Sequence, residues 1–89
     1  MIKIVHARWI KDQQIALAFS DGSEGVYDFA SLLAIKTPLT QPLQNTASFQ
    51  KFFLELGALC WSHGLEISAD KLRADLRSAN LLQHAVQAA

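Results

Sequence analysis

The stretch "FSDGSEGVYDF", residues 19–29, decides how this chain folds. It crowds Asp21, Ser23, Glu24 and Asp28 around two glycines, so it reads either as an acidic site or as a turn. A calcium loop needs oxygen ligands at alternating positions, closed by a bidentate carboxylate. Here glycine comes too early and the flanks are strand-like. The preceding "QIALAF" sets Ile15, Leu17 and Phe19 against Gln14, Ala16 and Ala18, the alternation of a strand with one strongly apolar face. Asp-Gly between apolar alternations favours a hairpin, because a type I′ turn needs positive φ at both central residues. A two-residue Asp21-Gly22 loop pairs Ser20 with Ser23, Leu17 with Val26 and Ala16 with Tyr27, which puts Val26 on the apolar face. A three-residue loop that brings Tyr27 opposite Leu17 turns Val26 away, since a one-residue slip exchanges faces. The shorter loop is the expectation. Asp28 then caps a short helix over 29–35, with Leu32 and Leu33 inward.

Upstream, Ile2, Ile4 and His6 alternate with Val5, Ala7 and Trp9, a strand with both faces partly covered, and Lys11-Asp12-Gln13 supplies a polar turn. Downstream, "TPLTQPLQNT" holds both prolines and reads as a loop that pins Leu39 and Leu43 to the core. "SFQKFFLELGALCW" fits helical spacing, but Gly57 interrupts it. The expectation is a helical turn near residues 46–50, then a hairpin turning at Leu56-Gly57. His63-Gly64 bends the chain after Trp61. Ser68 caps a C-terminal helix over about 69–88, with Asp70 in its first turn where the dipole favours an anion. Leu72, Leu76, Ala79, Leu82 and Val86 form its buried stripe. Ala74, Leu81, Ala85 and Ala88 form a weaker opposite stripe, a candidate interface with a second chain. Trp9 and Trp61 read as core anchors whose N–H groups find partners at an edge.

Taken in order, "LAFSDGSEGVYDFASLL" and "CWSHGLEISADKL" resemble the small bacterial family known as domain of unknown function 2442. Its pattern runs F-S-D-G-S, then V-D-L and two leucines, then a Phe-led segment, then W-x-x-G-x-D-I-x-x-D-x-L. Phe19 to Ser23, Asp28, Leu32, Leu33, Phe49, Trp61, Gly64, Ile67, Asp70 and Leu72 occupy the corresponding places, within a span from Ile2 to Leu76. Ser62, Glu66 and Ala69 depart from the proline, aspartate and proline common there. The resemblance implies an α+β domain with antiparallel hairpins and carries no established activity. It also implies a context: some relatives are joined to a helix-turn-helix module or encoded beside a small partner in toxin–antitoxin-like arrangements.

The expected fold is therefore α+β, one domain over residues 1–89, with a small antiparallel sheet built from β-hairpins, a short helix after the first hairpin and a longer C-terminal helix. A chain of 89 residues buries only about 60–65% of its unfolded surface, yet 51% of this one is hydrophobic. Some apolar surface must stay exposed or find a partner. Eight basic residues balance eight acidic ones, so no overall field draws nucleic acid or an anionic membrane, and direct nucleic-acid binding is not expected. A lone cysteine, an alternating start unlike a signal peptide and the absence of a long apolar run point to the cytoplasm, with no membrane association.

Two chemical readings compete with structural ones. Cys60-Trp61-Ser62-His63 has a spacing a metal could use, but zinc needs three or four ligands and the others would come from distant His6, His84 or carboxylates. A Cys60–His63 nucleophile pair needs a nearby base or cation, and the two side chains diverge from neighbouring positions. Cys60 reads better as a small buried hydrophobe. Lys71, Arg73 and Arg77 interleave with Asp70 and Asp75, the signature of a solvated helix face. No metal or other cofactor is expected. The function expected is a non-catalytic binding or regulatory module acting through self-association or a small protein partner. The alternative is a small-molecule or enzymatic site in a pocket of Asp28, Cys60, Trp61 and His63.

Overall fold

A computed structural model describes residues 1–84. In chain order the strands and helices are β1 (Ile4–Lys11), β2 (Gln14–Phe19), β3 (Ser23–Asp28), α1 (Ala30–Ala34), a 3₁₀ turn (Gln41–Gln44), α2 (Thr46–Phe49), β4 (Phe53–Glu55), β5 (Ala58–Cys60), β6 (Glu66–Ile67), α3 (Ala69–Ser78) and β7 (Gln83–His84). The fold is α+β with antiparallel hairpins, as the sequence indicates. One sheet has the order β1-β2-β3-β7, the other β4-β5-β6. No helix among the described residues is long and apolar enough to cross a membrane.

The first hairpin forms where expected but in a different register. Leu17 lies opposite Gly25, Ala16 opposite Val26 and Ile15 opposite Tyr27. The loop therefore holds Ser20, Asp21 and Gly22. The Gly22 amide donates to the Phe19 carbonyl at 3.1 Å, and Gly22 takes φ +87°. That is a type I turn closed by a left-handed glycine, the usual three-residue hairpin. Asp21 Oδ1 accepts from both the amide and the hydroxyl of Ser23, and Ser23 is buried. These bonds brace the three-residue loop from inside. The core side of β3 is thus Ser23, Gly25 and Tyr27, while Val26 is 43% exposed on the other side.

A bulge changes the faces of β1. Ile4 pairs with Phe19 but His6 with Ala18, so the register slips by one residue at Val5. Ile4 is buried, and the next side chains against the core are Ala7 and Trp9. His6, expected beside Ile4, is exposed instead.

After β3 the Asp28 carboxylate accepts from the Ala30 amide at 2.9 Å. It acts one residue outside the helix, since Phe29 is the N-cap position of α1. Leu33 and Leu43 are buried, whereas Leu39 is 43% exposed and not pinned as expected. The second hairpin turns at Leu56 (φ +51°) and Gly57 (φ +82°), the two-residue geometry of a type I′ turn. The amide of Ile4 donates to the Gly57 carbonyl at 2.8 Å, tying the small sheet to β1.

Ser68 caps α3 by accepting from the Lys71 amide at 3.2 Å, and Leu72 and Leu76 face the core. The helix is shorter than the expected 69–88. It stops at Ser78 because Asn80 takes φ +64°, with the Leu81 amide donating to Leu76 O and the Asn80 amide to Arg77 O. This is a Schellman ending, with Asn80 in the position glycine usually fills. Ala79, assigned to the buried stripe, is exposed, and Leu82 packs on the core from beyond the helix. Gln83 and His84 pair with Glu24 and Ser23, so the chain returns as a strand. Val86, Ala85 and Ala88 lie outside the described residues.

The core sits on one side of the four-stranded sheet. Ile15, Leu17 and Phe19 meet Phe29, Leu33, Leu43, Phe49, Leu59, Trp61, Leu72 and Leu76 there. Its centre is aromatic: Phe29 contacts Phe49 and Trp61 edge-on, with ring centroids 5.7 and 6.2 Å apart. Each such contact adds about 0.5–1.5 kcal/mol beyond area burial.

Candidate functional site

The residues nominated for a pocket have structural partners. Trp61 is buried, and its indole N–H donates to Phe49 O at 2.9 Å. Asp28 is exposed at the end of β3 and holds the start of α1. His63 is exposed in the bend after Trp61, where its Nε2 lies 2.6 Å from the Leu39 carbonyl. That carbonyl can only accept, so Nε2 carries the proton. Gly64 takes φ +116° in the same bend and donates to Trp61 O. Cys60 is buried on β5, where burial pushes its thiol pKa up and the carboxylates of Glu66 and Glu55 add to the rise. A thiol held protonated is a poor nucleophile and metal ligand. Neither of two hollows on the surface of the described residues is lined by any of these four side chains. Among the described residues, no three His, Cys, Asp or Glu side chains converge as a metal site.

What the acidic stretch does instead is lock the first hairpin to α3. Asp21 Oδ2 accepts from Arg73 Nε at 3.0 Å and Nη2 at 2.9 Å. Further along β3, the Tyr27 hydroxyl donates to Asp75 Oδ2 at 2.6 Å, and Lys71 Nζ reaches the same oxygen at 3.1 Å. Sequence reading missed both ties, because their partners lie 52 and 48 residues apart.

The Asp21 carboxyl is held down to about 2 by the hydrogen bonds of the Ser23 hydroxyl and amide, with the Arg73 cation adding to them. The Tyr27 hydroxyl is pushed up by burial and by its bond to Asp75, which in turn holds the Asp75 carboxyl low. A carboxyl whose folded pKa lies below its unfolded one stabilises fully above the unfolded value. That contribution disappears as pH falls from 3.8 through about 2. Urea midpoints should therefore drop across that window. Asp21→Asn should lower stability at neutral pH and flatten the acid slope, leaving the part due to Asp75. An unchanged slope in that variant would show that Asp21 carries none of it.

The opposite face of the four-stranded sheet has no covering element among the described residues. Its geometry follows from the register. His6, Ala18, Glu24 and Gln83 form one row across β1, β2, β3 and β7, and Arg8, Ala16 and Val26 form a second across the first three strands. His6, Arg8, Glu24, Val26 and Gln83 are exposed. Ala16 and Ala18 make a low floor between a basic flank on β1 and an acidic one on β3. A concavity of about 450 Å³ opens there, bounded towards β7 by Leu81 and Gln83. Of the expected interface residues, Leu81 borders this hollow, while Ala74 is exposed on α3. Sequence reading missed the face because the Val5 bulge and the hairpin register decide which residues share it.

The elements from β1 to the end of α3 match the family model described as protein of unknown function (DUF2442), over residues 4–78. The chain belongs to the DUF2442 family. No curated protein and no solved structure matches it. The DUF2442 match includes the whole Asp21–Arg73 and Tyr27–Asp75 lock. It also includes His6, Arg8, Ala16, Ala18, Glu24 and Val26 of the open face. Leu81 and Gln83 lie beyond the matched span.

Proposed function

We propose that this DUF2442 chain is a non-catalytic binding module that pairs with a second copy of itself through the open face of its four-stranded sheet. The observation that carries the reading is the self-complementary arrangement of that face. Basic Arg8 and His6 lie on β1, acidic Glu24 on β3, and the small residues Ala16 and Ala18 lie between them on β2. A two-fold axis parallel to the strands and passing over β2 sets β1 of each copy above β3 of the other. His6 then faces Glu24 and Arg8 faces Val26 of the second copy, with Glu24 one row (about 7 Å) along and within diagonal reach of the long Arg8 side chain, twice over, as an isologous interface requires. The alanine floor lets the two sheets approach to the ordinary stacking distance of about 10 Å.

Size sets the strength. The three overlapping strands β1, β2 and β3, at about 4.8 Å spacing and roughly six residues at ~3.4 Å rise, give a face on the order of 300 Å². Stable complexes bury about 800 Å² per partner, so the pairing is weak and concentration-dependent. The lone buried thiol, Cys60, suits a reducing compartment such as the cytoplasm. The four nominated pocket residues serve the fold, which supports a module without catalysis.

Sedimentation velocity over a wide concentration range tests the reading. The weight-average mass is expected to rise towards a dimer, with the rise reduced by salt. Arg8→Glu should weaken association at least about tenfold, because it exchanges the diagonal Arg8–Glu24 attraction for a repulsion between two carboxylates. A chain that stays monomeric at millimolar concentration, or an unaffected Arg8→Glu variant, would overturn homotypic pairing by this face.

A further inference from the structure

On the other side of the sheet, a second cleft of about 340 Å³ lies between the end of α3 and β7, lined by Arg73, Arg77, Asn80, Leu82 and His84. We propose that this cleft binds a phosphate dianion, the group shared by inorganic phosphate and phosphate monoesters. The site is independent of the open face, since no residue lines both hollows.

Arg73 and Arg77 sit one turn apart, at the i and i+4 positions of α3, and so project on the same side. Arg73 is fixed in advance: its Nε and Nη2 both donate to Asp21 Oδ2, which leaves Nη1 and the outward N–H groups for another acceptor. Arg77 has no ion-pair partner among the described residues. Asn80 adds an amide from its left-handed position at the helix end, and the pairing of His84 with Ser23 brings the imidazole to the opposite wall. Asp21 offsets the charge of Arg73, so Arg77 leaves the cleft cationic, and the His84 imidazole adds a ring nitrogen to its wall.

A helix C-terminus ordinarily repels an anion through its free carbonyls. Here Asp75 O, Leu76 O and Arg77 O already accept from the amides of Ala79, Leu81 and Asn80. The last turn presents guanidinium groups instead of bare acceptors. Two guanidinium forks and an imidazole match a group carrying ~1.5–2 negative charges on three oxygens better than a monovalent carboxylate. A metal cation is disfavoured by the same two arginines. Such a group could be free phosphate or the phosphorylated side chain of a peptide, and the same titration separates the two.

The test is a ¹H–¹⁵N titration of the full chain with inorganic phosphate and, in a second arm, with a phosphoserine peptide, each against chloride at equal ionic strength. Saturable shifts are expected at the Arg73 and Arg77 side-chain N–H signals and at the amides of residues 80–84. Affinity for the preferred source should fall about tenfold in Arg77→Gln. Tighter binding of the peptide assigns a phosphorylated protein segment, and equal binding assigns free phosphate. His84→Ala is the second variant, expected to weaken binding without touching the lock to Asp21. Non-saturating shifts equal to those with chloride, or undiminished binding in both variants, would overturn the site. These outcomes do not depend on whether the chain dimerises.

Discussion

Trp61→Ala is expected to cost about 3–5 kcal/mol of folding stability, the range for removing a large buried aromatic. A chain of 89 residues has roughly 4–13 kcal/mol in total, so this single change takes a large part of it. Three losses combine. The ring lies 5.7 Å from Phe49, 6.2 Å from Phe29 and 6.4 Å from Phe52, so its removal opens a cavity among side chains that hold one another. Its indole N–H satisfies the Phe49 carbonyl in a buried setting. The Phe49 carbonyl belongs to α2, so both the small sheet and that helix lose their common anchor. Trp61→Phe separates the effects: it keeps most of the ring contact and leaves Phe49 O without a partner, at about 1–3 kcal/mol. Trp9 offers the contrast. Its N–H donates to Asp12 O at an exposed turn and the residue is only half-buried. Trp9→Ala should therefore be distinctly milder. Urea unfolding followed by circular dichroism measures all three, and equal losses at the two tryptophans would contradict this picture of the core.

The second large effect is expected at Gly25. Its backbone is ordinary for a strand, so the constraint is steric. A Cβ added there would lie 2.8 Å from the Leu81 carbonyl oxygen and 3.1 Å from a methyl of Leu76. The first contact is with backbone, which cannot rotate away. Gly25→Val should therefore push the end of α3 and β7 off the sheet, at about 1–3 kcal/mol or more. Gly25→Ala should show a smaller loss of the same kind. Faster hydrogen exchange confined to residues 81–84, ahead of the strands β1 to β3, is the local signature. A variant with unchanged stability and unchanged exchange there would show that α3 does not rest on Gly25.

These two positions also mark what the sequence could and could not disclose. Local chemistry was legible. The Leu56-Gly57 turn, the Ser68 cap, the bend at His63-Gly64 and the α+β class all follow from short stretches, and each is present. The helix end was legible in principle, because Asn at position 80 is a left-handed C′ signal, but an unbroken apolar stripe running past it masks that signal. Register was not legible. Asp21-Gly22 serves two hairpin lengths equally well, and the choice rests on Ser23 being buried and bonded to Asp21. A single bulge at Val5 then moves His6 away from the core and on to the open face. Both candidate sites depend on such non-local facts. The sheet face needs the register of three strand pairs, and the cationic cleft needs Asp21 to reach Arg73 across 52 positions. Periodicity located the lock's residues without showing that they meet.

The acidic stretch at residues 19–29 thus acts as a fastening, and the face it leaves open on the other side of the sheet is where function is proposed. Mixing two charge-reversed variants tests that proposal most directly. Arg8→Glu and Glu24→Arg should each be monomeric alone, because each sets like charges on the diagonal between positions 8 and 24 of the two-fold pair. Mixed in equal amounts, they should sediment as a heterodimer. The introduced glutamate of one copy then meets the introduced arginine of the other, and the native Glu24 of the first meets the native Arg8 of the second. A mixture that stays monomeric, while the unmodified chain dimerises, would contradict pairing through this face.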